Sequence, residues 1–239
     1  MTTEHVKDLL PDIARPDVGI VAVSEWEVGT AERQQKLFEA STAAWEAIRW
    51  PETLLSINWL ASLDGERALA YVQWANDTQF EEFRTTVRPA LFARIQEALP
   101  DIQPSPARFY RLHRSRVRPD ATPPGCIVIV RVEFEAPEET RQKAWIDTVF
   151  QALDAEENLH PGGLAAHFHV SADGAGVLNW AEWTDAAAHQ EALDGSKQGT
   201  IGSNPLWQRV LTFPGMTAHG FRRYRFARSL SRARREHAA

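Results

Sequence analysis

The chain has 239 residues, 44% of them hydrophobic and 24% charged, a balance that supports a buried core and excludes a disordered or fibrous protein. A formal charge of −6 gives no general attraction to nucleic acid, and one cysteine, Cys126, excludes a disulfide framework. No stretch reaches the roughly 18 apolar residues of a membrane span, and the opening MTTEHVKDLLPDI has no apolar run of signal length, so the expectation is a cytoplasmic protein without membrane or nucleic-acid partners.

Residues 1–18 read as an N-terminal extension. From Gly19, the run GIVAVSEWEV alternates as a strand. Leu37, Ser41, Ala44, Trp45 and Ile48 then recur at helical spacing. The segment INWLASLDGERALAYVQW reads as a hairpin turning at Asp64 and Gly65, where glycine accepts a positive φ that other side chains resist. Asp77 or Thr78, with Glu81 following, suits the cap of a second helix striped by Phe80, Phe83, Val87, Leu91 and Ile95. Pro89 should kink that helix. ARFYRLHR closes the series as a strand.

The same succession returns. A strand at 127–134 precedes a helix carrying Trp145, Val149, Phe150 and Leu153, and a hairpin turns at Asp173 and Gly174. Asp185 caps a short helix, the pattern breaks at LDGSKQGTIGSNP, and Asn204 with Pro205 restarts it before GFRRYRF. Gly19 answers Gly125, Asp64-Gly65 answers Asp173-Gly174, Trp74 answers Trp183, and Tyr110 answers Tyr224, at an offset of 106 to 114 residues. Such order implies duplication of a β-α-β-β-α-β unit. The copies span 19–117 and 125–228, with a Pro- and Gly-rich linker at 118–124 and a basic tail at 229–239. The expected fold class is α+β, two fused ferredoxin-like repeats. A four-stranded sheet with helices on one face leaves its other face apolar, and a fused copy can cover it. The expectation is therefore an eight-stranded barrel of dimeric type within one chain, an intrachain pseudo-dimer open to further homodimerisation. Two arginine runs, at 108–118 and 222–235, read mainly as solvated strand faces.

Chemistry is expected in the barrel interior. His167, His169 and Ser171 share one face of a strand, and Asn179, Ala181 and Trp183 share one face of the next. A hairpin loop of three or five residues would set His169 opposite Asn179. Copy one has Leu60, Ala70 and Trp74 at the aligned positions, so one reactive and one structural lobe are expected. The same alternation is compatible with side chains that face the helices, and with a histidine that merely satisfies the core. His167 and His169 have no carboxylate beside them on that strand, which argues against a metal. Cys126 lacks an evident base and reads as structural. No GxGxxG after a strand, P-loop, HExxH or GxSxG is present.

The repeated unit, with a Trp ending its third strand and an acidic helix start behind it, resembles the antibiotic biosynthesis monooxygenase family of dimeric α+β barrels, here fused in tandem. HFHVSADGAGVLNWAEWTDAAAH is the nearest stretch, with His169, Asn179 and Trp183 spaced ten and then four residues apart. The resemblance implies a cofactor-independent oxygenase, without flavin, haem or metal, that uses dioxygen as co-substrate. Its substrate would be a small aromatic polyketide-like phenol or anthrone, oxidised to a quinone. It implies catalytic roles for His169, Asn179 and Trp183, and substrate contacts from His167, Trp207, Arg209, Arg222 and Tyr224, with the pocket arginine sought at Arg209 or Arg222. The same fold also hosts polyketide cyclases and non-catalytic binding or stress-response proteins. Haem-degrading relatives need an Asn on the first strand, and CIVIVRVEF has none.

Overall fold

A computed structural model describes residues 5–156, 159–194 and 204–232. The chain forms two compact units. One comprises the described residues up to Phe109 with those from Arg225 onward, and the other spans Tyr110–Tyr224. The first holds β1 (His5–Lys7), β2 (Ile20–Glu27), α1 (Ala31–Glu46), β3 (Leu54–Ser62), β4 (Arg67–Trp74), α2 (Phe80–Glu82) and α3 (Arg88–Ala98). Strand β5 (Arg108–Val117) begins in it and passes into the second unit, which holds β6 (Cys126–Phe134), α4 (Glu139–Asp154), β7 (Gly163–Ser171), β8 (Gly176–Trp183), α5 (Ala186–Leu193) and α6 (Leu206–Leu211). Strand β9 (Met216–Arg232) gives residues up to Tyr224 to the second unit and the rest to the first. The expected seam at 118–124 is thus internal to the second unit, because Tyr110–Val117 already pair with β7.

Both units carry the ferredoxin-like α+β pattern. In the second, the antiparallel order is β5-β7-β8-β6-β9. In the first, β3 and β2 flank β4, and β1 pairs with Leu230–Arg232 of β9. That pairing corrects two boundaries: the extension contributes a strand, and Ser229–Arg232 belong to β9 rather than to a tail, with Leu230 buried. Arg232 donates to the Leu54 and Pro51 carbonyls.

The repeated glycines have a packing cause. Gly19 and Gly125 donate their N–H groups to the Trp74 and Trp183 carbonyls, and a Cβ would stand 2.3 Å from the Ala75 oxygen at the first and 2.2 Å from the Thr184 oxygen at the second. Gly65 and Gly174 hold φ of 81° and 77°, which other residues adopt only at a cost. Both hairpins also share a polar clasp. Ser171 Oγ donates to Asp173 at 2.5 Å, and the Gly176 N–H donates to Ser171 Oγ at 2.9 Å. Ser62 Oγ donates to Asp64 at 2.5 Å, and the Arg67 N–H donates to Ser62 Oγ at 2.8 Å.

A buried glutamine on the preceding helix completes each clasp. Gln142 Nε2 lies 2.5 Å from the Gly176 carbonyl oxygen and 2.8 Å from Ser171 Oγ; Gln34 repeats this on Arg67 and Ser62. Gln142→Ala would strip buried acceptors of their donor, and should cost about 2–3 kcal/mol. Urea unfolding measures it; a loss below about 0.5 kcal/mol would mean the clasp adds nothing beyond the turn itself.

The remaining helices form largely as the sequence implies. Thr30 caps α1 and Asp185 caps α5 through their side chains. The cap expected from Asp77 or Thr78 is absent: Asn76 accepts from the Thr78 N–H instead, and α2 starts behind Gln79 without a side-chain cap. Pro89 acts through a π-helical segment, Phe83–Val87, in which the Arg88 N–H reaches back to the Phe83 carbonyl. The wider turn ends just before the residue that has no N–H to give. Most of the expected break before Asn204 lies outside the described residues. No helix among the described residues is long and apolar enough to cross a membrane.

Candidate functional site

The second unit encloses a cavity of about 410 Å³ between one face of its sheet and its own helices. Val130 and Val132 of β6, Ala166 and Phe168 of β7, and Asn179, Ala181 and Trp183 of β8 form its floor. Trp145 and Val149 of α4, His189 of α5, and Trp207 and Val210 of α6 form its roof. Phe221 and Leu211, each about half exposed at 49% and 48%, mark where it meets solvent.

This placement corrects the expectation of a site in the barrel interior, since the cavity lies beneath the unit's own helices, and it corrects the expected trio. Phe168, not His169, stands opposite Asn179, and His169 pairs with Leu178. The loop between β7 and β8 has four residues, Ala172–Ala175, because the Ser171–Asp173 clasp fixes its length. A one-residue change in register moves every side chain to the other face. His169 is therefore on the reverse face of this unit's sheet, fully buried, with Nδ1 3.0 Å from the His167 carbonyl oxygen and 3.3 Å from that of Leu178. Burial, reinforced by His167, pushes its pKa down to about 4. His167 lies on that face too, 2.8 Å from Ser115 Oγ through Nδ1.

The expected substrate contacts divide in the same way. Trp207 lines the cavity, with its indole N–H donating to Glu156 at 2.6 Å. Arg209 is exposed on α6 and is not part of the cavity wall. Arg222 and Tyr224 pair with Ile129 and Ile127, and by strand alternation they share the reverse face with His169. The neighbouring Arg223 reaches the cavity side instead, with Nε donating to His189 Nδ1 at 2.9 Å and Nη2 donating to Gln190 at 2.6 Å.

Asn179, Trp183, His160 and His189 thus bring polar groups to a largely apolar wall. Asn179 Oδ1 is buried without a hydrogen-bond partner among the described residues, an arrangement that costs free energy unless a ligand or water supplies a donor. Trp183 meets the His189 ring edge-on at 5.0 Å and the His160 ring at 5.9 Å. The Gly162 N–H donates to His160 Nδ1 at 3.1 Å, while His160 Nε2 lies 3.6 Å from Glu191. Burial, with Arg223 beside it, pushes the His189 pKa down to about 4. Among the described residues no group of three or more His, Cys, Asp or Glu could hold a metal ion.

His189 is not among the residues expected from the sequence, and the signal for it is that it interrupts the apolar face of α5 formed by Ala188 and Ala192. The layer difference between copies was also visible. Unit 1 has Trp26 where unit 2 has Val132, and Trp59 where unit 2 has Phe168, in the same registers. Its corresponding cavity measures only about 80 Å³.

No family model and no curated protein matches this sequence. Solved structures do. An anthrone oxidase-like protein superposes with a TM-score of 0.67 at 16% identity, over 94% of this chain and 98% of that one. A monooxygenase candidate from Lactobacillus acidophilus gives a TM-score of 0.52 at 8% identity, covering 90% of this chain and 96% of its own. Another from Fusobacterium nucleatum gives 0.53 at 10% identity, covering 90% and 95%. These chains share the fold across both repeats of this one.

Proposed function

We propose that the second unit is an oxygenase that binds an electron-rich phenol or anthrone in its cavity and promotes its oxidation by dioxygen to a quinone. The observation carrying this reading is the unpartnered Asn179 Oδ1, on the same strand face as Trp183 in a largely apolar cavity. A flat aromatic gains from those walls, and a phenolic O–H gives Asn179 Oδ1 the donor it lacks, leaving the amide N–H to face an oxyanion. The likeness in fold to an anthrone oxidase-like protein supports the same substrate class.

The chemistry asks little of the protein. An anthrone loses a ring CH₂ proton to give a delocalised oxyanion, and the proton leaves to solvent at the cavity mouth. Amide and indole N–H groups that stabilise the oxyanion favour this ionisation. The anion gives one electron to dioxygen, and the resulting radical and superoxide join in a new C–O bond. Protonation yields a hydroperoxide, and loss of water leaves the carbonyl. In sum, CH₂ and O₂ become C=O and H₂O. His169 has no part in this scheme, since it sits on the far face of the sheet.

The test incubates metal-stripped protein with a panel of anthrones and naphthols under air and under argon, beside enzyme-free controls. Oxygen uptake matched by quinone formation above the control rate is expected. Trp183→Phe should lower kcat by about 10–100-fold with KM within about threefold, as for loss of a transition-state donor. Cyclisation of a polyketide substrate under argon, without oxygen uptake, would sink the oxygenase reading.

A further inference from the structure

We propose that Arg223 locks His189 as the tautomer carrying its proton on Nε2, so that the ring serves as a neutral N–H donor to a substrate oxygen in the cavity. This rests on the oxygenase reading for its substrate and on geometry for the rest. His189 is then a catalytic residue and Arg223 a positioning residue.

The argument begins with what a guanidinium can do. Arginine donates through every nitrogen and accepts through none. Arg223 Nε stands 2.9 Å from His189 Nδ1, so this nitrogen must present a lone pair, and the ring's one proton resides on Nε2. The guanidinium is itself held, through Nη2 on Gln190 at 2.6 Å, with its central carbon 5.2 Å from the Phe221 ring centre. The imidazole is 4% exposed and is flanked edge-on by Trp183 and Phe221, each at 5.0 Å. It lines the cavity, and Nε2 has no acceptor among the described residues.

Such a ring cannot act as the base. Taking a proton would require Nδ1, which Arg223 already occupies, and would place a second positive charge beside the guanidinium. The ionisable groups on the surrounding elements are Arg223 and His219 of β9, Cys126 of β6, Glu182 of β8, Asp185 at the start of α5, Glu191 within α5 and His160 ahead of β7. Burial and Arg223 keep the ring neutral. A neutral donor in a water-poor wall gains strength as negative charge develops on the acceptor, and so favours the anion over its neutral parent. With Asn179 and Trp183 on β8, the cavity carries N–H groups on both sheet and helix.

Imidazole ¹⁵N NMR of the full chain tests this without turnover. The wild type should show His189 as a single Nε2–H tautomer, unchanged between about pH 8 and about pH 5.5. Arg223→Met should mix the tautomers and raise the titration midpoint by at least about one unit. Arg223→Gln, which keeps an N–H, should preserve the tautomer and guards against a misfolded Met variant. Adding 1-naphthol should move the wild-type Nε2–H resonance downfield. In turnover, Arg223→Met should lower kcat by about tenfold, and His189→Gln should retain more activity than His189→Phe. A wild-type ring protonated on Nδ1, or an Arg223→Met spectrum identical to the wild type, would overturn the proposal. So would wild-type oxidation rates in His189→Phe, which would leave the oxygenase reading standing. Conversely, an Nε2–H shift with naphthol in a protein that consumes no dioxygen would retain the donor and remove the oxygenase.

Discussion

Val132→Trp should lower kcat/KM by at least about 100-fold while changing unfolding free energy by no more than about 1 kcal/mol. The chain has already carried out the corresponding replacement in its other copy. Trp26 pairs with Ala68 as Val132 pairs with Val177, and Trp59 pairs with Ala70 as Phe168 pairs with Asn179. In unit 1 the two indoles meet edge-on at 5.5 Å over the sheet, and the space left is about 80 Å³ against about 410 Å³ in unit 2. Extra bulk usually destabilises a close-packed core. Here it enters a space large enough to receive it, so ligand is displaced rather than protein. Steady-state oxidation with urea unfolding of the same preparation checks both halves. A stably folded Val132→Trp protein with wild-type kcat/KM would show that oxidation takes place elsewhere.

The repeat and its elements were legible because their causes are local. Gly19 and Gly125 sit where a Cβ would strike a carbonyl oxygen, and Asp-Gly marks turns with positive φ. Helix faces followed from spacing: Trp145, Val149 and Phe150 of α4 are buried as their periodicity implies. Site membership depends on something less local, the parity of a strand. Two loop lengths were allowed for the second hairpin, and the one adopted lies between them. The Ser171–Asp173 clasp that sets it is written in the sequence twice, as Ser-x-Asp-Gly at 62 and at 171. Arg222 and Arg223 likewise differ only in which face of β9 they meet. His189 was harder to find, because its importance comes from Arg223, which is far away in the chain.

Acidification should destabilise the second unit through two histidines that fold in their neutral form. His169 and His189 are both pushed down to about 4 from an ordinary value of 6.5. Between those limits the unfolded chain binds a proton at each ring and the native protein does not. Stability is therefore complete above about pH 6.5 and falls as pH drops toward about 4, where the native rings themselves take up protons. At pH 5 the loss amounts to about 2 kcal/mol for each ring, about 4 kcal/mol together. His169→Asn separates them. Its amide can still donate to the His167 and Leu178 carbonyls that Nδ1 serves, yet it does not titrate. The variant's loss between about pH 7.5 and about pH 5 should shrink by about 2 kcal/mol relative to the wild type, measured by urea unfolding across that range. Its oxidation rate at pH 7.5 should stay within about twofold of the wild type, because His169 lies on the sheet face away from the cavity. A large fall in kcat with unaltered acid sensitivity would reverse this assignment and return His169 to the reacting centre.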